Sequence, residues 1–66
     1  MKKLVELRSI LGITQEELAI SIGVSRTTVV NWESGDTIPQ KRHLDKLLEK
    51  YGVPAAWLFS EYVPVK

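Results

Sequence analysis

Arg26, Thr27, Val30 and Asn31 carry the side-chain types that suit the edges of base pairs in duplex DNA. Arg can donate to guanine O6 and N7, Asn can pair with adenine N6 and N7, and a Thr methyl can meet a thymine methyl. At about 100° per residue along a helix, Thr27, Val30, Asn31 and Ser34 lie well away from Val29, with Arg26 on the flank of the first turn. That face is short, polar and mostly uncharged, with one Arg at its leading end. A solvated polar face is the plainer reading. It leaves an outward β-branched Val30 unexplained unless Val30 is half-buried at the helix edge. Lys41 and Arg42 pose a second question, because basic residues at the start of a helix oppose its dipole. A nearby anion resolves that conflict; two exposed surface bases are the alternative.

These residues need a frame, and the residues around them specify one. Thr14-Gln15-Glu16-Glu17 fits a capping box, and Ile13 with Leu18 fits a hydrophobic staple. Two acids in the first turn suit the positive end of the helix dipole. Leu18, Ala19 and Ile22 share one face, and Ala19 is small where a second helix must approach. Gly23 stops this helix, since Gly takes the left-handed conformation cheaply. Ser25 caps the next one, in which Val29 and Trp32 face back toward the first. Two short helices across a tight turn, Gln15 to Ser34, form the unit that presents a helix to the DNA major groove.

The spacing predicts five helices and an all-α fold. The first covers about Lys2 to Leu11, with Leu4, Leu7, Ile10 and Leu11 at helical spacing and Gly12 as its stop. The second and third are about Gln15–Ile22 and Arg26–Ser34, the latter closed by Gly35. Asp36–Gln40 is a loop stiffened by Pro39. The fourth covers about Lys41–Tyr51, with Leu44, Leu47, Leu48 and Tyr51 inward and Gly52 ending it. Pro54 suits the first turn of a fifth helix ending near Ser60. Residues 1–60 are expected to form one domain, and 61–66 a tail in which Tyr62, Val63 and Val65 alternate.

The run LRSILGITQEELAISIGVSRTTVVNWESG resembles the helix-turn-helix domain of the phage repressor and Cro family, also called the XRE family. The resemblance continues through Pro39, LDKLLEKYGV and AAWLF, and so covers roughly residues 2 to 60. It implies a compact five-helix bundle of the lambda-repressor type that binds specific double-stranded DNA and regulates transcription, chiefly by repression. It also implies roles for residues. Gln15 would bind a phosphate with help from its helix N-terminus. Ser25, Ser34, Thr37, Lys41 and Arg42 would hold neighbouring phosphates, although capping alone accounts for Ser25. Arg8 and Glu33 would form a structural pair linking the first helix to the third. Trp57, Leu58, Phe59 and Tyr62 would make the contact of a homodimer over a palindromic operator, with recognition helices ~34 Å apart. The alternative for that aromatic group is a small core with one exposed ring. A chain of this extent suits either a whole Cro-like protein or the N-terminal part of a larger repressor.

Composition narrows the remaining classes. Sixty-six residues make one domain with a modest core. The absence of Cys removes disulfides and cysteine metal sites and fits a cytoplasmic location. His43 is the only His, so no metal-ligand or catalytic pair forms; a helix-surface or phosphate-adjacent place is expected for it. Glu16 and Glu17 point about 100° apart and make no acid/base pair. An enzyme, a cofactor, a metal and a small-molecule ligand are therefore not expected. Glu6 and Arg8 interrupt the apolar start, so no targeting segment is read, and nothing approaches a membrane span. The net charge of +1, from nine basic and eight acidic residues, supports nucleic-acid binding only weakly. Near-neutrality, and Asp36 after the third helix, favour a second reading: a protein-interaction module of the antitoxin or adaptor kind on the same fold.

Overall fold

The structure, a computed structural model, describes residues 1–62. Five α-helices follow one another: α1 (Lys2–Leu11), α2 (Gln15–Ile22), α3 (Arg26–Ser34), α4 (Lys41–Tyr51) and α5 (Ala55–Leu58). A single 3-10 turn, Ser60–Tyr62, follows α5. The fold is all-α, as the periodicity predicts.

The first four helices begin and end where the sequence places them, and local chemistry explains why. Thr14 Oγ1 accepts from the Glu17 N–H at 3.0 Å, while Glu17 Oε1 accepts from the Thr14 N–H at 2.9 Å. Two N–H groups without helical partners are thereby satisfied reciprocally. Ser25 Oγ accepts from the Thr28 N–H at 3.2 Å and caps α3. Gly23 ends α2 with φ of +84°, a value that L side chains rarely adopt. Its left-handed turn swings the chain so that α3 crosses α2 directly.

One core joins the helices. Leu4 and Leu7 of α1, Leu18, Ala19 and Ile22 of α2, Val29 and Trp32 of α3, Leu47 of α4 and Leu58 are buried together. Leu44, Leu48 and Tyr51 pack against this cluster half-buried, so α4 contributes a flank rather than the centre. Tyr51 Oη and Ser21 Oγ share a hydrogen bond of 2.6 Å that ties α4 to α2.

The structure departs from expectation at both ends. Ile10 is 74% exposed and Leu11 38%, although their spacing aligned them with Leu4 and Leu7. In the last turn of α1 these apolar side chains border an open groove, with Tyr51, Val53 and Trp57, instead of a core. At the other end Pro54 is the N-cap, with extended ψ of 131°, rather than a first-turn residue. The expected single helix breaks at Phe59, and Glu61 and Tyr62 belong to the short turn that follows, not to a tail. The alternation of Val63 and Val65 lies outside the described residues, as does the Tyr62 side chain.

The ends are fastened by contacts with no local signal. Glu61 accepts from the backbone N–H groups of Lys2 (3.0 Å) and Lys3 (2.8 Å), and so caps α1 from the far end of the chain. The Met1 side chain is buried, and its ammonium donates to the carbonyls of Trp32 and, at 3.2 Å, Glu33. A cation thus sits on the negative end of α3.

These contacts set an acid dependence. Burial raises the Glu61 pKa, but the N–H groups of Lys3 and Lys2 outweigh it and hold the carboxylate below its usual 4.5. Burial, then the charges of Arg42 and Lys46, hold His43 below its usual 6.5. Both groups bind protons more weakly folded than unfolded, so acid favours the unfolded chain. Stability is therefore full above about pH 6.5 and declines on acidification, first through His43 and then, below about 4.5, through Glu61 and through Glu33, whose pKa is likewise held down. Urea midpoints across this range should fall in that order, and Glu61→Gln should flatten the more acidic step.

Candidate nucleic-acid interface

The outward face of α3 is mounted on its inward one. Val29 and Trp32 are buried, which fixes the rotation of the helix. Arg26 and Thr27 are exposed, Val30 is 36% exposed and Asn31 is half-buried. Arg26, Thr27, Val30, Asn31 and Ser34 fall within an arc of about 140°. Four of them can hydrogen-bond, and none is held by the core. Val30 lies inside that arc, between Arg26 and Ser34, and keeps part of its surface open to solvent.

A polar network behind α3 fixes its angle. Arg8 grips Glu33 with two prongs, Nε to Oε2 at 2.5 Å and an Nη donor to Oε1 at 2.9 Å. The other Arg8 Nη donates to the Ile13 carbonyl at 3.1 Å. Gln15 Nε2 donates to the same Glu33 Oε1 at 3.0 Å. The Glu33 side chain is only 7% exposed and that of Arg8 20%. Burial opposes ionisation of Glu33, yet hydrogen bonds from Arg8 and Gln15 and the Arg8 charge together hold its pKa below the usual range. The Glu33 bond raises the Arg8 pKa further, against burial. The network joins α1, α2 and α3, and it aims Gln15: one amide N–H is used, leaving the carboxamide oxygen and second N–H at the start of α2.

The candidate phosphate ligands differ in how far they are already engaged. Ser25 Oγ is engaged as the cap and with Thr28 Oγ1 at 2.9 Å. Ser34 Oγ donates to the Asn31 carbonyl at 3.1 Å. Thr37, Lys41 and Arg42 are exposed. Lys41 has a local partner within its own helix: its Nζ lies 2.9 Å from Asp45 Oδ2. The pair is open to water, where such contacts contribute little.

Two expected sites are revised. Leu58 is fully buried in the core of its own chain, so it is removed from the expected dimer contact. Consecutive helical residues point different ways, and one of the three had to fill the space under α1. Trp57 and Phe59 are half-buried and keep surface available. Trp57 borders an open groove of about 360 Å³ with Ile10, Leu11, Tyr51 and Val53. His43 is not a simple surface residue either. Its ring lies 5.3 Å from that of Trp32, and its Nδ1 is enclosed. The signal was present in the sequence: His43 stands four residues before Leu47, on the same side of α4.

Among the described residues no helix is long and apolar enough to cross a membrane. A helix-turn-helix family profile matches residues 4–58. The chain is 39% identical over 59 residues to the cryptic phage CTXphi transcriptional repressor RstR of Vibrio cholerae, covering 89% of this chain and 53% of that protein. It is 42% identical over 59 residues to the HTH-type transcriptional activator BcrR of Enterococcus faecalis, covering 89% of this chain and 29% of that protein. It therefore spans about half of one relative and under a third of the other. No solved structure matches the chain significantly. Two crossed helices with a capped, glycine-closed turn, together with a profile match over residues 4–58, place the chain in the helix-turn-helix family.

Proposed function

We propose that the chain binds specific double-stranded DNA and regulates transcription, by repression through occupancy of an operator. One observation carries the reading: a polar, outward α3 face seated on buried Val29 and Trp32 and fixed by the Arg8–Glu33–Gln15 network. Arg26, Thr27, Val30 and Asn31 read bases; Gln15, Ser25, Ser34, Thr37, Lys41 and Arg42 set the register on phosphates. Both relatives are named as transcription regulators, one a repressor and one an activator, which supports this level of function. A homodimer contacting through Trp57 and Phe59 would present two α3 helices to half-sites ~34 Å apart.

The electrostatic half of the reading is tested by salt. Affinity for a duplex should fall linearly on a log–log plot against salt concentration. Lys41→Ala and Arg42→Ala should each weaken binding to all sequences alike and lower the slope by about one. A flat salt dependence would remove the phosphate assignments.

The net charge of +1 and the exposed Asp36 favour a protein-interaction module as the second reading. Under it, Arg26→Ala and Asn31→Ala leave function intact.

A further inference from the structure

The loop between α3 and α4 carries a large apolar side chain that nothing among the described residues covers. Ile38 is 67% exposed. Its neighbours in the loop and beyond it are polar or charged: Asp36, Thr37, Gln40, Lys41 and Arg42 are all exposed, while Pro39 is buried. The loop is also pinned. The Asn31 carbonyl accepts from the N–H groups of Gly35 (3.1 Å), Asp36 (3.0 Å) and Thr37 (3.3 Å), in addition to Ser34 Oγ. One residue later Ile38 precedes Pro39, which restricts its backbone to extended conformations. The segment that follows Asn31 is therefore held at one end by the recognition helix and at the other by a buried proline. Ile38 is presented outward at little cost in conformational entropy.

We propose that Ile38 packs against the deoxyribose of the DNA strand held by Thr37, Lys41 and Arg42. This rests on the DNA-binding reading above. A strand gripped at its phosphates also offers the apolar C–H face of its sugars, and an isoleucine fixed among the phosphate ligands is placed to cover it. The contact is an apolar burial, so it adds affinity without adding a released counterion. Ile38 thereby separates two quantities that change together at Lys41 and Arg42: affinity and salt dependence.

The test compares Ile38→Thr, Ile38→Val and Lys41→Ala with the unaltered chain, on one selected duplex from about 50 to 250 mM salt. Thr and Val both keep the β-branch that suits the extended backbone before proline. Ile38→Thr is expected to bind about five- to twentyfold more weakly at every salt concentration, in a line parallel to that of the unaltered chain. Ile38→Val should recover most of the loss, and Tm should be unchanged for both, since the side chain is outside the core. Lys41→Ala should instead change the slope. Binding by Ile38→Thr within twofold of the unaltered chain would overturn the sugar contact while leaving the DNA reading in place. Failure of the unaltered chain to bind any duplex would overturn both.

Discussion

Arg8→Ala is expected to lower stability by about 2–3 kcal/mol. Removing one partner of a buried ion pair costs about 3–5 kcal/mol, because the other charge is left buried and uncompensated. Glu33 fits that description, at 7% side-chain exposure; Arg8, at 20%, keeps some contact with water, and that discounts the figure. For a domain of this size the loss corresponds to a fall in Tm of roughly 10–20 °C. Arg8→Lys should recover only part of it, since an ammonium cannot make the two-pronged contact or reach the Ile13 carbonyl as well. Arg8→Ala/Glu33→Ala should cost less than the two single changes added together, as expected for directly coupled partners. Thermal melts of the four variants check this. A loss below about 0.5 kcal/mol for Arg8→Ala would make the pair an ordinary surface contact.

Arg26→Ala/Asn31→Ala is expected to abolish sequence preference while leaving the fold intact. Each bidentate contact to a base edge contributes about 1–3 kcal/mol of discrimination, so the double change should cost about 2–6 kcal/mol on the preferred site. Binding to unrelated duplexes should hardly change for Asn31→Ala, because phosphate contacts carry that part. Stability should hold as well. Arg26 is exposed, and the link from Asn31 to the following loop runs through its backbone carbonyl, which the substitution keeps. Gel-shift titrations on preferred and scrambled duplexes, with melting curves alongside, measure both quantities.

Much of this frame is legible in the sequence because its signals are local. Thr14 with Glu17, Ser25, and the glycines after each of the first four helices mark boundaries within one turn of where they act. Leu18, Ala19, Ile22, Val29 and Trp32 lie at the spacing that two crossed helices require, and all are buried. What was hidden depends on distance along the chain. Glu61 capping the start of α1, and the Met1 ammonium closing the end of α3, join residues tens of positions apart that carry no pattern of their own. The break at Phe59 also escaped local reading, since helix α5 is only four residues long and its extent is set by where Leu58 finds the core. The spacing of Leu4, Leu7 and Ile10 marks one helical face but not how much of that face is covered, and Ile10 is left exposed. At the candidate site, residue types and spacing gave the α3 face. Exposed Ile38 carries no such signal, because an apolar residue in a polar loop has no periodicity to mark it.

The most direct test is selection of binding sites from a random duplex library at about 100 mM salt, with Arg26→Ala/Asn31→Ala selected in parallel; salt is fixed because phosphate-driven affinity depends on it steeply. One enriched motif with two-fold symmetry, absent from the double variant, is expected. A folded chain that enriches no sequence, or a motif retained by the double variant, would contradict base reading by α3.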